Sequence, residues 1–180
     1  MSEVYISVDI EASGPIPGAY SMLSLGACKV DGTDENFYIE LRPTSEAFVP
    51  EAMEVIGRSL EDFAGKGSSP AEAMKDFHDW VLRVSSGNDP VFVGFNAAFD
   101  WSFINWYFYT YLGDNPFGIG GIDIKSFYMG MTGCDWGDTR SSRIPDQFKG
   151  QSLHTHNALD DAIEQAEMFG LMLRHVRSNK

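Results

Sequence analysis

Apolar and polar residues alternate between two periods along this chain. Val4 to Ile10 is rich in β-branched residues and reads as a buried strand. Met22 to Val30 and Asn36 to Leu41 read as two more strands, and Asp31-Gly32 between them predicts an antiparallel hairpin. Gly14, Pro15, Pro17 and Gly18 mark a turn after the first strand. The period then lengthens. Pro50 to Gly57 predicts a short helix. Pro70 to Val84 predicts a longer one, because Ala71, Met74, Phe77, Val81 and Val84 recur every three to four residues. Val91 to Phe95 is a compact apolar strand, Phe99 to Leu112 an aromatic-rich helix, and Ile122 to Ile124 a short strand leading into a helical turn. A final helix spans about Ala158 to Val176, with Ala162, Ala166, Phe169 and Leu173 as its buried stripe. Residues 132–151 carry no clear period and read as a loop or partly helical insertion. Strands first, then strands alternating with helices, predict an α/β domain with a mixed sheet over residues 1–180.

The chemistry sits where these elements end. Asp9 and Glu11 are two residues apart on the first strand, so their side chains share a face. Two like charges that close repel and raise each other's pKa. A hard cation such as Mg²⁺ or Mn²⁺, which takes oxygen ligands, would explain the pair. A solvent-facing acidic strand end fits the same residues. Asp100 opens the aromatic helix after the Gly94-Phe95-Asn96 turn, at the strand edge where ligands of α/β sheets bind. A carboxylate there can also simply complement the helix N-terminus. In His156-Asn157-Ala158-Leu159-Asp160-Asp161, Asn157 is a natural N-cap and Asp160, at the third helical position, can support it. Asp161 has no capping duty. His156 lies just ahead of the cap, and an imidazole suits proton transfer near neutrality. His154 reads as a surface or core residue.

Composition narrows the partners. Lys and Arg total 13 against 26 Asp and Glu, a net charge of −13. This argues against a broad basic footprint on a duplex, but not against a short single strand gripped at one end. Aromatics make up 13% of the chain and offer base-stacking surfaces. The two cysteines, Cys28 and Cys134, form no zinc or disulfide pattern. No long apolar run or basic leader is present, so the expected setting is cytoplasmic, away from membranes.

Taken together, D-x-E near the N-terminus, N-x-x-F-D mid-chain and H-x-x-x-x-D at the last helix resemble the DEDDh family of 3′–5′ exonucleases. That family includes ribonuclease T, oligoribonuclease and proofreading exonuclease subunits. The resemblance implies a ribonuclease H-like fold, a mixed five-stranded sheet flanked by helices. It implies Asp9, Glu11, Asp100 and Asp161 as ligands of two divalent cations, Mg²⁺ or Mn²⁺, and His156 as general base. Asp9-Ile10-Glu11-Ala12-Ser13-Gly14 matches the family's D-x-E-x-T-G with Ser for Thr. Ala12 and Ser13 are therefore candidate substrate contacts, and Trp101, directly after Asp100, is a candidate stacking residue. Phe95 stands where the family often has a His. The expected substrate is the 3′ end of single-stranded RNA or DNA. The small acidic chain, with no polymerase or helicase region, tilts the expectation towards RNA or short oligonucleotides, and the resemblance suggests a homodimer. A catalytically inactive nucleic-acid-binding module of the same fold, or another metal-dependent phosphate-ester hydrolase, would share several of these features.

Overall fold

The computed structural model describes residues 2–150 and 155–178; His154 lies outside the described residues. The sheet is built on β1 (Glu3–Ala12), which pairs antiparallel with β2 (Met22–Lys29) and parallel with β4 (Asp89–Gly94). β3 (Asn36–Glu40) closes one edge and the short β5 (Gly121–Asp123) the other, giving the five-stranded order β3-β2-β1-β4-β5. The antiparallel hairpin expected at Asp31-Gly32 joins β2 to β3, with Gly32 at φ 126°, a region only glycine enters readily. The parallel strands need crossovers. Between β3 and β4 the crossover contains α1 (Pro50–Ile56), α2 (Leu60–Lys66) and α3 (Pro70–Ser85). Between β4 and β5 it is α4 (Ala98–Tyr111). After β5 come α5 (Ile124–Thr132) and finally α6 (Ala158–Ser178).

The alternation along β1 sorts two faces. Ile6, Val8, Ile10 and Ala12 enter a buried cluster with Met74, Phe77 and Val81 of α3 and Phe103, Ile104, Tyr107 and Phe108 of α4. Tyr5 packs on the opposite side, against Phe169 of α6. By the same period Ser7, Asp9 and Glu11 face the α6 side. Apolar residues thus anchor the strand to one layer of helices, while its acidic pair meets the other.

Two segments depart from the sequence expectation. α2 was not foreseen, although Ser59 and Asp62 form a reciprocal capping box that begins it. Its single buried side chain, Phe63, gives too little apolar periodicity to signal a helix. Residues 132–151 were read as irregular. α5 extends to Thr132 from one side, and three short 3₁₀ turns follow at Trp136–Thr139, Ser141–Arg143 and Asp146–Phe148. Ile144 and Phe148 are buried, and Phe148 packs edge-on against Tyr128 of α5 and His175 of α6. A few spaced anchors hold this segment, and no periodic face does, so periodicity could not reveal it. Among the described residues no helix is long and apolar enough to cross a membrane.

Candidate active site

β1 supplies the first two carboxylates. Asp9 and Glu11 lie opposite Gly26 and Ser24 of β2, just before an irregularity in register between Glu11 and Ala12. Gly26 decides what can lie above them. A Cβ there would come within 2.2 Å of the Ala158 carbonyl group and 2.3 Å of the Leu159 nitrogen. Only a residue without a side chain lets the first turn of α6 rest directly on the sheet beside Asp9.

That first turn carries Asp161. Asn157 caps the helix as expected, its side-chain oxygen accepting from Leu159 N–H at 3.0 Å and from Asp160 N–H at 3.4 Å. Asp160 has a related but different task from the one anticipated. Its carboxylate accepts from the Thr155 hydroxyl at 2.8 Å, tying down the segment ahead of the cap. Asp161 accepts from Thr155 N–H at 3.0 Å and is buried. His156 is held between these anchors in the left-handed conformation, φ 56°. Left-handed backbone is uncommon outside glycine, and histidine is among the residues that tolerate it best. Ligand atoms of Glu11, His156 and Asp161 all lie within 4.8 Å of one another.

Asp100 arrives from the other side of the sheet. The β1–β4 ladder ends at Ser7 and Val93. Beyond it, Asp100 on the first turn of α4 accepts the Ile10 N–H at 3.1 Å. The preceding turn is fixed by Asn96 at φ 61° and by Asp123, whose carboxylate accepts from Ala97 N–H at 2.9 Å. Sequence reasoning weighed Asp100 as a helix-end charge. The structure places it in that first turn and also hydrogen-bonds it to β1 between Asp9 and Glu11.

One site residue was missed. Gln165 is buried one turn after Asp161 on α6. Its amide nitrogen donates to Asp9 Oδ1 at 2.7 Å, and its amide oxygen accepts from Phe95 N–H at 2.8 Å. The available signal was its spacing of four from Asp161, which puts both on one helix face.

The other candidates sit in supporting positions. Ala12 is buried. Ser13 is fully buried and its hydroxyl is engaged twice, donating to the Ala47 carbonyl at 2.9 Å and accepting from Ser21 N–H at 3.0 Å. Trp101 is half-buried with its ring edge-on to Phe92, centroids 5.1 Å apart, so most of that ring serves the core.

The electrostatics are those of a site lacking its counter-charge. Burial pushes Asp100 up to about 8 against the pull of the Ile10 N–H. Burial, then the Asp161 charge, pushes Glu11 up to about 7. Asp9 is raised well above the usual range by burial and by Asp100, Glu11 and Asp161, against the pull of the Gln165 amide. Among the described residues no lysine or arginine pairs with Asp9, Glu11 or Asp100. Oxygen donors gathered with no lysine or arginine among the described residues to neutralise them are what a hard divalent ion requires, so the donor set fits such ions.

Comparison with known proteins identifies the family. A family model for exonucleases of the RNase T type matches residues 6–169. The chain is 52% identical to the 3′-5′ DNA exonuclease Cap18 of Escherichia coli over 171 residues, covering 94% of this chain and 91% of that protein. Among solved structures, the nuclease domain of 3′hExo, a DEDDh member bound to rAMP, superposes with a TM-score of 0.75 at 15% identity, covering 96% of this chain and 92% of that one. E. coli Exonuclease I in complex with a dT13 oligonucleotide does so with a TM-score of 0.73 at 16% identity, covering 99% of this chain and 43% of that one. These two likenesses speak to the ribonuclease H-like fold. With its motifs gathered at the end of β1 and 94% of its length matched by an exonuclease relative, the chain belongs to the DEDDh-type 3′–5′ exonuclease family.

Proposed function

We propose that this protein is a 3′–5′ exodeoxyribonuclease that releases nucleoside 5′-monophosphates from single-stranded DNA. The observation that carries the choice of DNA is the 52% identity, over nearly the full length of both chains, to a DNA exonuclease. The tilt towards RNA rested on small size and acidity. A relative of matching length that is named for DNA removes size as an argument, and a net negative surface repels both polymers alike. RNA is told from DNA by contacts to the 2′-hydroxyl, which no feature of the motifs announces.

In this reading Asp9, Glu11, Asp100 and Asp161 hold two divalent cations, Mg²⁺ or Mn²⁺. Bound there, such ions lower the pKa of an attacking water and stabilise the departing oxygen. His156 accepts the proton from that water as its oxygen bonds to phosphorus. The bond from phosphorus to the 3′ oxygen of the penultimate nucleotide breaks, that oxygen takes a proton from solvent water to end as a hydroxyl, and His156 returns its proton to solvent. The left-handed backbone at His156 and the Thr155 anchors on Asp160 and Asp161 keep the imidazole beside Glu11 and Asp161. Burial of Asp100 and Asp161 excludes competing water from the ligand set. Lys125, half-buried beside Asn96 and 4.2 Å over the half-exposed Trp136 ring, offers a charge for a phosphate and a face for a base.

The test uses matched single-stranded DNA and RNA, labelled at the 5′ end, with Mg²⁺ or Mn²⁺ and with EDTA. The expected result is a ladder shrinking one nucleotide at a time, faster on DNA, with 5′-monophosphates released and no cleavage in EDTA. Faster shortening of RNA, or cleavage starting inside the strand, would overturn the proposal.

A further inference from the structure

Gln165 bridges three parts of the site and has no assigned task. Its orientation is fixed by chemistry. The Phe95 N–H can only donate, so the group facing it at 2.8 Å must be the amide oxygen. The amide nitrogen is then turned to Asp9, 2.7 Å away. Flipping the amide would set N–H against N–H on one side and oxygen against carboxylate on the other. The residue is 7% exposed, so water does not readily replace either bond. It also stands on the α6 face that carries Asp161.

We infer that Gln165 is a positioning residue that fixes the Asp9 carboxylate for cation binding and ties it to the β4–α4 turn leading to Asp100. This rests on the metal-dependent reading above. With Oδ1 engaged by the amide, Asp9 is restricted in rotation and presents Oδ2 together with the remaining lone pair of Oδ1. Without the amide, the carboxylate is free to turn away from its like-charged neighbours Glu11, Asp100 and Asp161. The ligand set would then have to be reassembled at each binding event. Partners that orient a ligand typically contribute about 10- to 100-fold to metal affinity or activity.

The test compares the parent with Gln165→Met, which keeps the length and loses both hydrogen bonds, and Gln165→Ala, which leaves room for water at the Phe95 N–H. Mn²⁺ binding is measured by calorimetry on the metal-free proteins. Thermal stability without metal, and kcat and KM on single-stranded DNA, are measured alongside. The expected result is Mn²⁺ affinity about 10- to 100-fold weaker in both variants, with kcat partly restored at high Mn²⁺ and KM for the oligonucleotide little changed. A folded variant that binds Mn²⁺ within about twofold of the parent would overturn the inference, even if its melting temperature falls, because that is all a structural bridge would do. If one variant does not fold, the other decides. A parent that binds no Mn²⁺ would overturn the metal-dependent reading itself, and the two failures are distinct.

Discussion

The acids of this protein fall into two groups with opposite electrostatics. On the surface, Glu40 is held below the usual carboxylate range chiefly by Arg58, Asp79 by Lys75, and Asp62 and Glu72 by the capping serines Ser59 and Ser69. Around the end of β1, Asp9, Glu11 and Asp100 are pushed the other way, first by burial and then by neighbouring acids including Asp161. A carboxylate held low favours folding once ionised, whereas one held high opposes it. The chain thus places its surface charges where partners or caps offset them and gathers its buried charges where they repel. Stability alone does not select the second arrangement. A bound cation reverses its sign.

Predictions that probe this contrast run from large effects to small. His156→Asn removes the proposed base while keeping a residue that tolerates the left-handed backbone at φ 56°, and should lower kcat by about 10²- to 10⁴-fold, with the circular dichroism spectrum and melting temperature little changed. Retained activity would take His156 out of the chemistry. Gly26→Ala forces the first turn of α6 off the sheet, since the new methyl would meet backbone at 2.2 Å. It should cost about 1–3 kcal/mol in denaturant unfolding and most of the activity, because Asp161 and His156 move with that turn.

The metal-free protein should lose stability as pH rises. Glu11 and Asp100 have folded pKa values raised to about 7 and about 8. Their destabilising effect is absent below the ordinary carboxylate range and is felt increasingly as pH climbs through these values. Melting temperatures measured without metal between pH 5 and 9 should fall across that window, and Mn²⁺ should flatten the upper half. A rise with pH would contradict the raised values. The smallest effect belongs to the surface group. Ser69→Ala removes the cap of α3 and should cost about 0.5–2 kcal/mol while kcat on DNA stays unchanged at temperatures below melting.

How much of this was readable beforehand follows the same physics. β1, α3 and α6 were legible because each buries one face, so the period is written in Val8 and Ile10, in Phe77 and Val81, and in Ala162 and Phe169. The motifs were legible because their residue types and order are specific to the chemistry. Gln165 was not, since a glutamine on a helix carries no sign of whether its amide meets solvent or a buried carboxylate. Gly26 was equally silent, because the close approach it permits depends on a helix 132 residues further along the chain. α2 and the 3₁₀ turns after α5 escaped because they are fixed by caps and a few isolated anchors. Asp160 shows the subtler case: its position suggests a helix-cap role, but its carboxylate is bound by the Thr155 hydroxyl.

Whether the buried acids are arranged for a cation is tested most directly by the melting temperature of Asp100→Asn beside the parent at pH 8, with and without Mn²⁺. The amide keeps an acceptor for the Ile10 N–H and removes one buried charge. The metal-free variant should melt higher than the parent, and Mn²⁺ should raise the parent's melting temperature but not the variant's. A variant that melts lower without metal and is stabilised by Mn²⁺ as much as the parent would contradict that arrangement.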